Sequence, residues 1–316
     1  MKSSIHKCKD GQILKELCSV FKTPLVQSEI NHSIENATSM DAALDILSKK
    51  FGISQKSAEF IMNMTINHFY SLNYEKVKAA YESLSTEDQN MVTELEHKQK
   101  EMHNHINEHA HNSGLSINGL KPILDGVHDV SKYLESPIKV MWIMKEAYDD
   151  SDEKGNRGGW IIFDILDENK PIPKSWYNII YVTYGIFNKW ETIDMYKISE
   201  DPSMKEVMSQ IAYINLNKMP ANKTSSDDLL EESYKNWKTI LMAQIELYKP
   251  QVIIFGNTFK FFKDDLLEGE DVKPQLDNVS KNAQLYIKNG IKLVDAYHPA
   301  ATGVKNYVDS IISFFL

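Results

Sequence analysis

Apolar residues follow two different rhythms along this chain. Up to about Leu134 they recur every three or four positions: Leu14, Leu17, Val20 and Phe21, then Ala42, Leu44 and Leu47, then Ile61, Met62, Met64, Ile66 and Phe69. That spacing predicts amphipathic helices. Proline is nearly absent there, with only Pro24 and Pro122. Ser85 to Ile106 is polar, with Met91, Val92, Leu95 and Met102 along one side, the pattern of an exposed or coiled helix rather than a core helix. His111 to Gly119 is rich in turn formers and predicts a break. Beyond it, short apolar runs at 139–144, 212–216, 251–255 and 291–295 alternate with helix-like segments at 175–188, 227–248 and 258–267. Continuous apolar runs of this length read as fully buried parallel strands, with helices as crossovers. The expected architecture is an all-α domain at 1–118 followed by an α/β domain at 119–316, a small parallel sheet between helical layers.

In such a sheet, ligands bind beyond the carboxyl ends of the strands. The residues there are Lys145-Glu146-Ala147-Tyr148-Asp149 after the first run, Asn215 at the end of the second with Asn217 and Lys218 following, Gly256-Asn257-Thr258 after the third and Tyr297-His298-Pro299-Ala300 after the fourth. A carboxylate, an amide, a glycine turn and an imidazole on one edge suit acid–base chemistry on a small heterocycle.

Composition narrows the field. With 42% hydrophobic and 25% charged residues the chain is of ordinary globular type, and no run approaches the ~18 apolar residues of a membrane helix. No membrane partner is therefore expected. The opening MKSSIHKCKDGQ lacks an apolar block with a small-residue cleavage site, so no secretory leader and a cytoplasmic location are expected. Cys8 and Cys18 are the only cysteines; a pair in this setting is expected to stay reduced, and two thiols cannot ligate an iron–sulfur cluster by themselves. A net charge of −9 argues against a general polyanion binder, because non-specific affinity comes from Lys and Arg on phosphates. It leaves room for a local basic groove. Arg157 is the only arginine. It sits in the glycine-bearing loop Gly155-Asn156-Arg157-Gly158-Gly159, where a guanidinium suits phosphate; a compositional bias toward lysine is the other reading.

The strand-end motifs resemble those of the uracil-DNA glycosylase superfamily. That family carries Gly-Gln-Asp-Pro-Tyr after the first strand, Asn at the end of the next, a strand ending in Trp-Gly, and a final His-Pro-Ser. The chain has Met144-Lys145-Glu146-Ala147-Tyr148, then Asn215, then Phe255-Gly256, then His298-Pro299-Ala300, across about the last 180 residues. The resemblance implies a DNA glycosylase that cuts the N-glycosidic bond of a flipped uracil or modified pyrimidine, with DNA as partner and without cofactor or metal. Glu146 would orient or activate water. Tyr148 would screen the base, and Phe163 or Trp160 would stack on it. Asn215 would bind the base edge, and His298 would stabilise the negative charge leaving with the base. Bond cleavage develops positive charge on the sugar and negative charge on the base, which calls for these types; the base must first leave the duplex.

The departures bear on substrate. Glu146 is one methylene longer than the usual Asp or Asn, Ala147 replaces a proline, Lys145 adds a cation and Ala300 replaces a serine. Plain uracil is therefore not assigned, and a larger or modified base is the alternative. Glu146 and Asp149 also read as solvated loop acids, His298 as a turn residue, Asn215 as a strand-end cap, and the aromatics as ordinary core. A non-catalytic DNA- or protein-binding dimer that keeps the glycosylase fold is the rival function. Repair and defence against foreign modified DNA are both open.

A second resemblance lies upstream. Ala42 to Met64, with Phe51-Gly52-Ile53-Ser54, then Leu72 to Val77 and Tyr81 to Leu84, is similar to the C-gate of the bacterial type II topoisomerase A subunit. It implies a homodimer joined through Phe60 to Phe69, with Ser85–Ile106 and the segment before Asn36 as coiled-coil arms, or a mimic that pairs with a topoisomerase subunit. A monomeric helical bundle would use the same apolar positions. His105 and His109 share a helix face and could take a metal with Glu108 or Glu101; a solvated helix end accounts for them as well.

Overall fold

The structure is a computed structural model that describes residues 11–22, 26–63, 74–116, 120–147, 166, 172–221, 226–277, 283–301 and 303–316. The chain divides into two compact units, Met1–Thr93 and Glu94–Leu316.

The described elements of the first unit are helices: α1 (Gly11–Val20), α2 (Val26–Glu35), α3 (Met40–Phe51), α4 (Gln55–Met62) and the start of α5 (Tyr74–Asn112). Their apolar positions converge on a core of Leu14, Leu17, Ile30, Leu47, Ala58, Ile61 and Val77. Ser39 caps α3 by accepting from Ala42 N, and Gly52 ends it at φ 64, where L residues other than glycine are strained. The Glu16 carboxylate accepts from Ser54 N at 2.7 Å and Ser54 Oγ at 2.8 Å, tying α1 to the cap of α4. The segment before Asn36 is thus two ten-residue helices rather than one long arm, because Leu14, Leu17 and Ile30 are consumed inside this core. Residues 64–70, most of the expected dimer contact, lie outside the described residues.

α5 is 39 residues long and mostly exposed from Asp88 to Glu101, as its polar sequence predicts. Its last turns differ. Met102, Ile106 and Ala110 are buried, and the Gln99 side chain brackets Val127, donating to its carbonyl at 3.0 Å and accepting from its N–H at 2.9 Å. The second unit therefore begins at Glu94 and includes the end of this helix, whereas the turn-rich stretch after His111 leads from it into the sheet.

That sheet has seven strands: β1 (Gly126–Val127), β2 (Val140–Met144), β3 (Ala212–Asn215), β4 (Val252–Gly256), β5 (Gln275–Leu276), β6 (Ala283–Lys288) and β7 (Ile291–Ala296). Their order is β1-β3-β2-β4-β7-β6-β5. The pairs β3–β2, β2–β4 and β4–β7 are parallel, while β1–β3, β7–β6 and β6–β5 are antiparallel. The fold is mixed α/β, and the small parallel sheet of the sequence reading is enlarged by three antiparallel strands. β6 joins β7 through Asn289-Gly290, both at positive φ, as a two-residue hairpin turn requires.

The parallel strands β2, β3 and β4 are buried along their whole length because helices pack on either face, while β7 is buried at Leu293, Val294 and Ala296. Val140, Trp142, Ile254 and Val294 meet α7 (Tyr177–Asn188), the 3-10 run Pro202–Gln210 and α10 (Val304–Ile312). Side chains alternate between faces, so Phe255 points the other way and meets Phe259 and Phe262 of α9 (Phe259–Leu266) at 5.0 and 5.4 Å between ring centres. The Trp142 indole N–H is satisfied by Thr183 Oγ1 at 3.1 Å. Two further helices, α6 (Val130–Glu135) and α8 (Asp227–Tyr248), meet through Tyr133, whose hydroxyl donates to the Tyr248 carbonyl at 2.8 Å.

Candidate active site

The connection from β2 leads to β3 on one side, and that from β4 leads by way of β6 to β7 on the other. The strand order therefore reverses between β2 and β4, and outside the carboxyl ends of strands at such a reversal α/β folds bind their ligands.

On the β2 side, pairing continues past the last strand residue. Leu216 N donates to Met144 O at 2.7 Å, Asn217 N to Lys145 O at 2.9 Å and Ala221 N to Ala147 O at 2.9 Å. These bonds fix Lys145-Glu146-Ala147 to the exit of β3 and restrain the loop where the resemblance has a stiffening proline. One carboxylate oxygen of Glu146 is shielded from solvent.

On the β4 side, Gly256 is required by close approach. A Cβ there would lie 2.4 Å from Met144 Sδ and 3.3 Å from Pro299 Cδ. Asn257 turns the chain at φ 63, a region asparagine tolerates, and its N–H donates to Ala296 O at 2.7 Å. Thr258 Oγ1 donates to Ile143 O at 2.8 Å, so the β4 exit is latched to both neighbouring strands.

The β7 exit carries His298. Its Nδ1 accepts from Ala300 N at 3.2 Å, which leaves the ring proton on Nε2. Burial, and secondarily the charge of Lys145, push its pKa down to about 4, so the imidazole is neutral at pH 7 and donates through Nε2. Asn178 Nδ2 donates to Pro299 O at 2.5 Å and the Tyr307 hydroxyl to Tyr297 O at 2.9 Å; both anchors are buried. β2 and β7 flank β4, two strand spacings or roughly 9–10 Å apart. Lys145 acts electrostatically on both His298 and Asp227. Lys260 pairs with Asp227, and Lys260 and Lys263 act on Asp295, whose own pKa burial raises. In a chain of net charge −9, Lys145, Lys260 and Lys263 thus act on neighbouring groups at this edge.

Asn215, the last residue of β3, is buried. Its N–H donates to Asp125 Oδ2 at 2.7 Å. Lys218 Nζ donates to both Asp125 oxygens at 2.8 and 2.9 Å, and Gln244 Nε2 to Oδ1 at 3.0 Å. Asp125, Lys218 and Gln244 are all buried. Burial lowers the Lys218 pKa, and the Asp125 carboxylate opposes that shift. Asp125 and Gln244 are absent from the sequence-based candidates and Lys218 enters them only as a neighbour of Asn215; the partners lie 93 and 119 residues apart, and no local pattern marks them.

Glu146, Asn215 and His298 therefore come to the same edge of the sheet. Tyr148, Arg157, Trp160 and Phe163 lie outside the described residues. A cavity of about 280 Å³ borders the β3 exit, between Asn217, Met219, Leu230, Trp237 and Leu115, and includes neither Glu146 nor His298. Glu146 and His298 lie at the strand ends, where backbone bonds hold their loops. Of the histidines on α5, His103 bonds the Asp125 carbonyl at 3.1 Å and His109 packs on Trp237 at 4.7 Å. Among the described residues no group of three or more His, Cys, Asp or Glu is placed to hold a metal ion, and no helix is long and apolar enough to cross a membrane. A scan against protein-family models and a search of curated proteins find no match to the chain.

Proposed function

We propose that the second unit is a DNA glycosylase that hydrolyses the N-glycosidic bond of an extruded uracil or modified pyrimidine. The observation that carries this reading is the gathering of Glu146, Asn215 and His298 around the switch point, with His298 held as a neutral Nε2–H donor. In the reaction, the bond between C1′ and the base nitrogen breaks and its electron pair leaves with the base. His298 Nε2–H stabilises that anion, with the Lys145 cation beside it. A water oxygen bonds C1′, and its proton passes to the Glu146 carboxylate. Asn215 selects the base edge. Lysines at this edge supply the attraction for phosphate that the net charge does not. The longer Glu146 side chain and the alanines at 147 and 300 favour a modified pyrimidine over plain uracil. The first unit, on its resemblance to a C-gate, joins two chains in a homodimer.

Purified protein is incubated with DNA bearing uracil, thymine mismatches or bulky modified pyrimidines, and free base and abasic sites are measured. Base release by the wild type, lost in Glu146→Gln and in His298→Ala, is expected. DNA binding without release of any base would replace this reading with that of a non-catalytic binder.

A further inference from the structure

Asn215 is held on one side by β2, where it pairs with Met144. On its other side β1 is too short to reach it. β1 pairs Gly126 with Tyr213 and Val127 with Ala212, and at Asn215 the ladder has run out. The Asp125 carboxylate takes the place of the missing strand carbonyl by accepting Asn215 N–H. Gly126 makes this possible. Its φ of 146 swings the chain off the ladder, and a Cβ there would lie 2.2 Å from the Tyr248 hydroxyl and 2.9 Å from Gln99 Oε1. The carboxylate is then oriented by Lys218 and Gln244.

α5 grips the same turn from outside. His103 Nε2 donates to the Asp125 carbonyl, Gln99 brackets both backbone groups of Val127, and the Tyr248 hydroxyl donates to Gln99 Oε1 at 2.8 Å. Apolar side chains would fill this space without the cost of burying two charges. What they could not supply is a directed acceptor at Asn215. We propose that Asp125 is a positioning residue that holds Asn215 in register for the base edge, and that Gln99 and His103 of α5 hold Asp125. The inference rests on the glycosylase reading for what Asn215 does, and on the geometry alone for how it is held.

Asp125→Ala strands the Lys218 ammonium and risks the fold. The deciding variant is the full chain with Gln99→Met and His103→Leu, which keeps the Asp125–Lys218 pair. Glu96→Ala with Lys100→Ala, on the exposed side of α5, is the control. Hydrogen exchange at the Asn215 amide is expected to quicken at least about tenfold in the first variant, as the four hydrogen bonds from Gln99 and His103 around the Asp125 turn are lost. On the best DNA substrate KM is expected to rise roughly 3–10-fold with kcat within about twofold, since an edge contact is made equally in ground and transition states. A role confined to stability would lower the active fraction instead. Unchanged exchange at Asn215 overturns the proposal, and so does faster exchange with KM unmoved. Wild-type protein that releases no base from any DNA sinks the glycosylase reading, and exchange then decides the α5 grip by itself.

Discussion

Protonation of His298 can be titrated directly, and the structure says where it occurs. Burial first and the Lys145 charge second move the imidazole from its ordinary 6.5 to about 4. That gap corresponds to about 3 kcal/mol against the charged form, and partial access to solvent trims it to roughly 2–3 kcal/mol. The unfolded chain takes up the proton first, so the contribution to stability is complete above pH 6.5 and is lost as pH falls from 6.5 toward 4. Protonation also fills Nδ1 and ends the bond from Ala300 N. Imidazole nitrogen shifts followed by NMR are expected to show His298 neutral down to about pH 4–5. In Lys145→Met the midpoint is expected to rise but to stay below 6.5, because burial remains. An His298 that titrates between pH 6 and 7 in the wild type, or ignores the loss of Lys145, would refute the electrostatic account of the site.

Asp125→Ala is expected to cost about 3–5 kcal/mol in urea unfolding because it leaves a buried ammonium alone, while Asp125→Asn combined with Lys218→Met stays within about 2 kcal/mol of wild type; similar losses in both would contradict the ion-pair argument. Gly126→Ala places a Cβ against the Tyr248 hydroxyl and is expected to lower stability by about 2–4 kcal/mol, with part of the loss recovered by Tyr248→Phe in thermal melts. Sedimentation of the full 36.3 kDa chain is expected to give the mass of two copies, and a clean monomer would retire the dimer.

The parallel strands β2 and β4 were legible because burial on both faces writes continuous apolar runs, and β7 because Ile291, Leu293 and Val294 cluster in it although Lys292 and Asp295 are only partly buried. The runs at 139–144, 251–255 and 291–295 became Val140–Met144, Val252–Gly256 and Ile291–Ala296, and the helix expected at 227–248 is Asp227–Tyr248. Strand ends then follow from strand positions, which is why Glu146, Asn215 and His298 could be grouped. β6 was hidden because half of its residues are only partly buried or exposed, though Asn289-Gly290 before an apolar run is a hairpin signal. β1 and β5 have two residues each, too few for any period. The Asp125 cluster was illegible because it is made by tertiary packing alone.

The Gln99 side chain has a consequence for solubility. An amide that gives and takes one hydrogen bond presents Val127 with the face of a neighbouring strand. It terminates the sheet at β1, where an open margin would template pairing with other molecules. A chain trimmed to start after the helix would expose that margin and is expected to self-associate, so a preparation of the α/β portion for crystallisation should keep every residue from Glu94 onward.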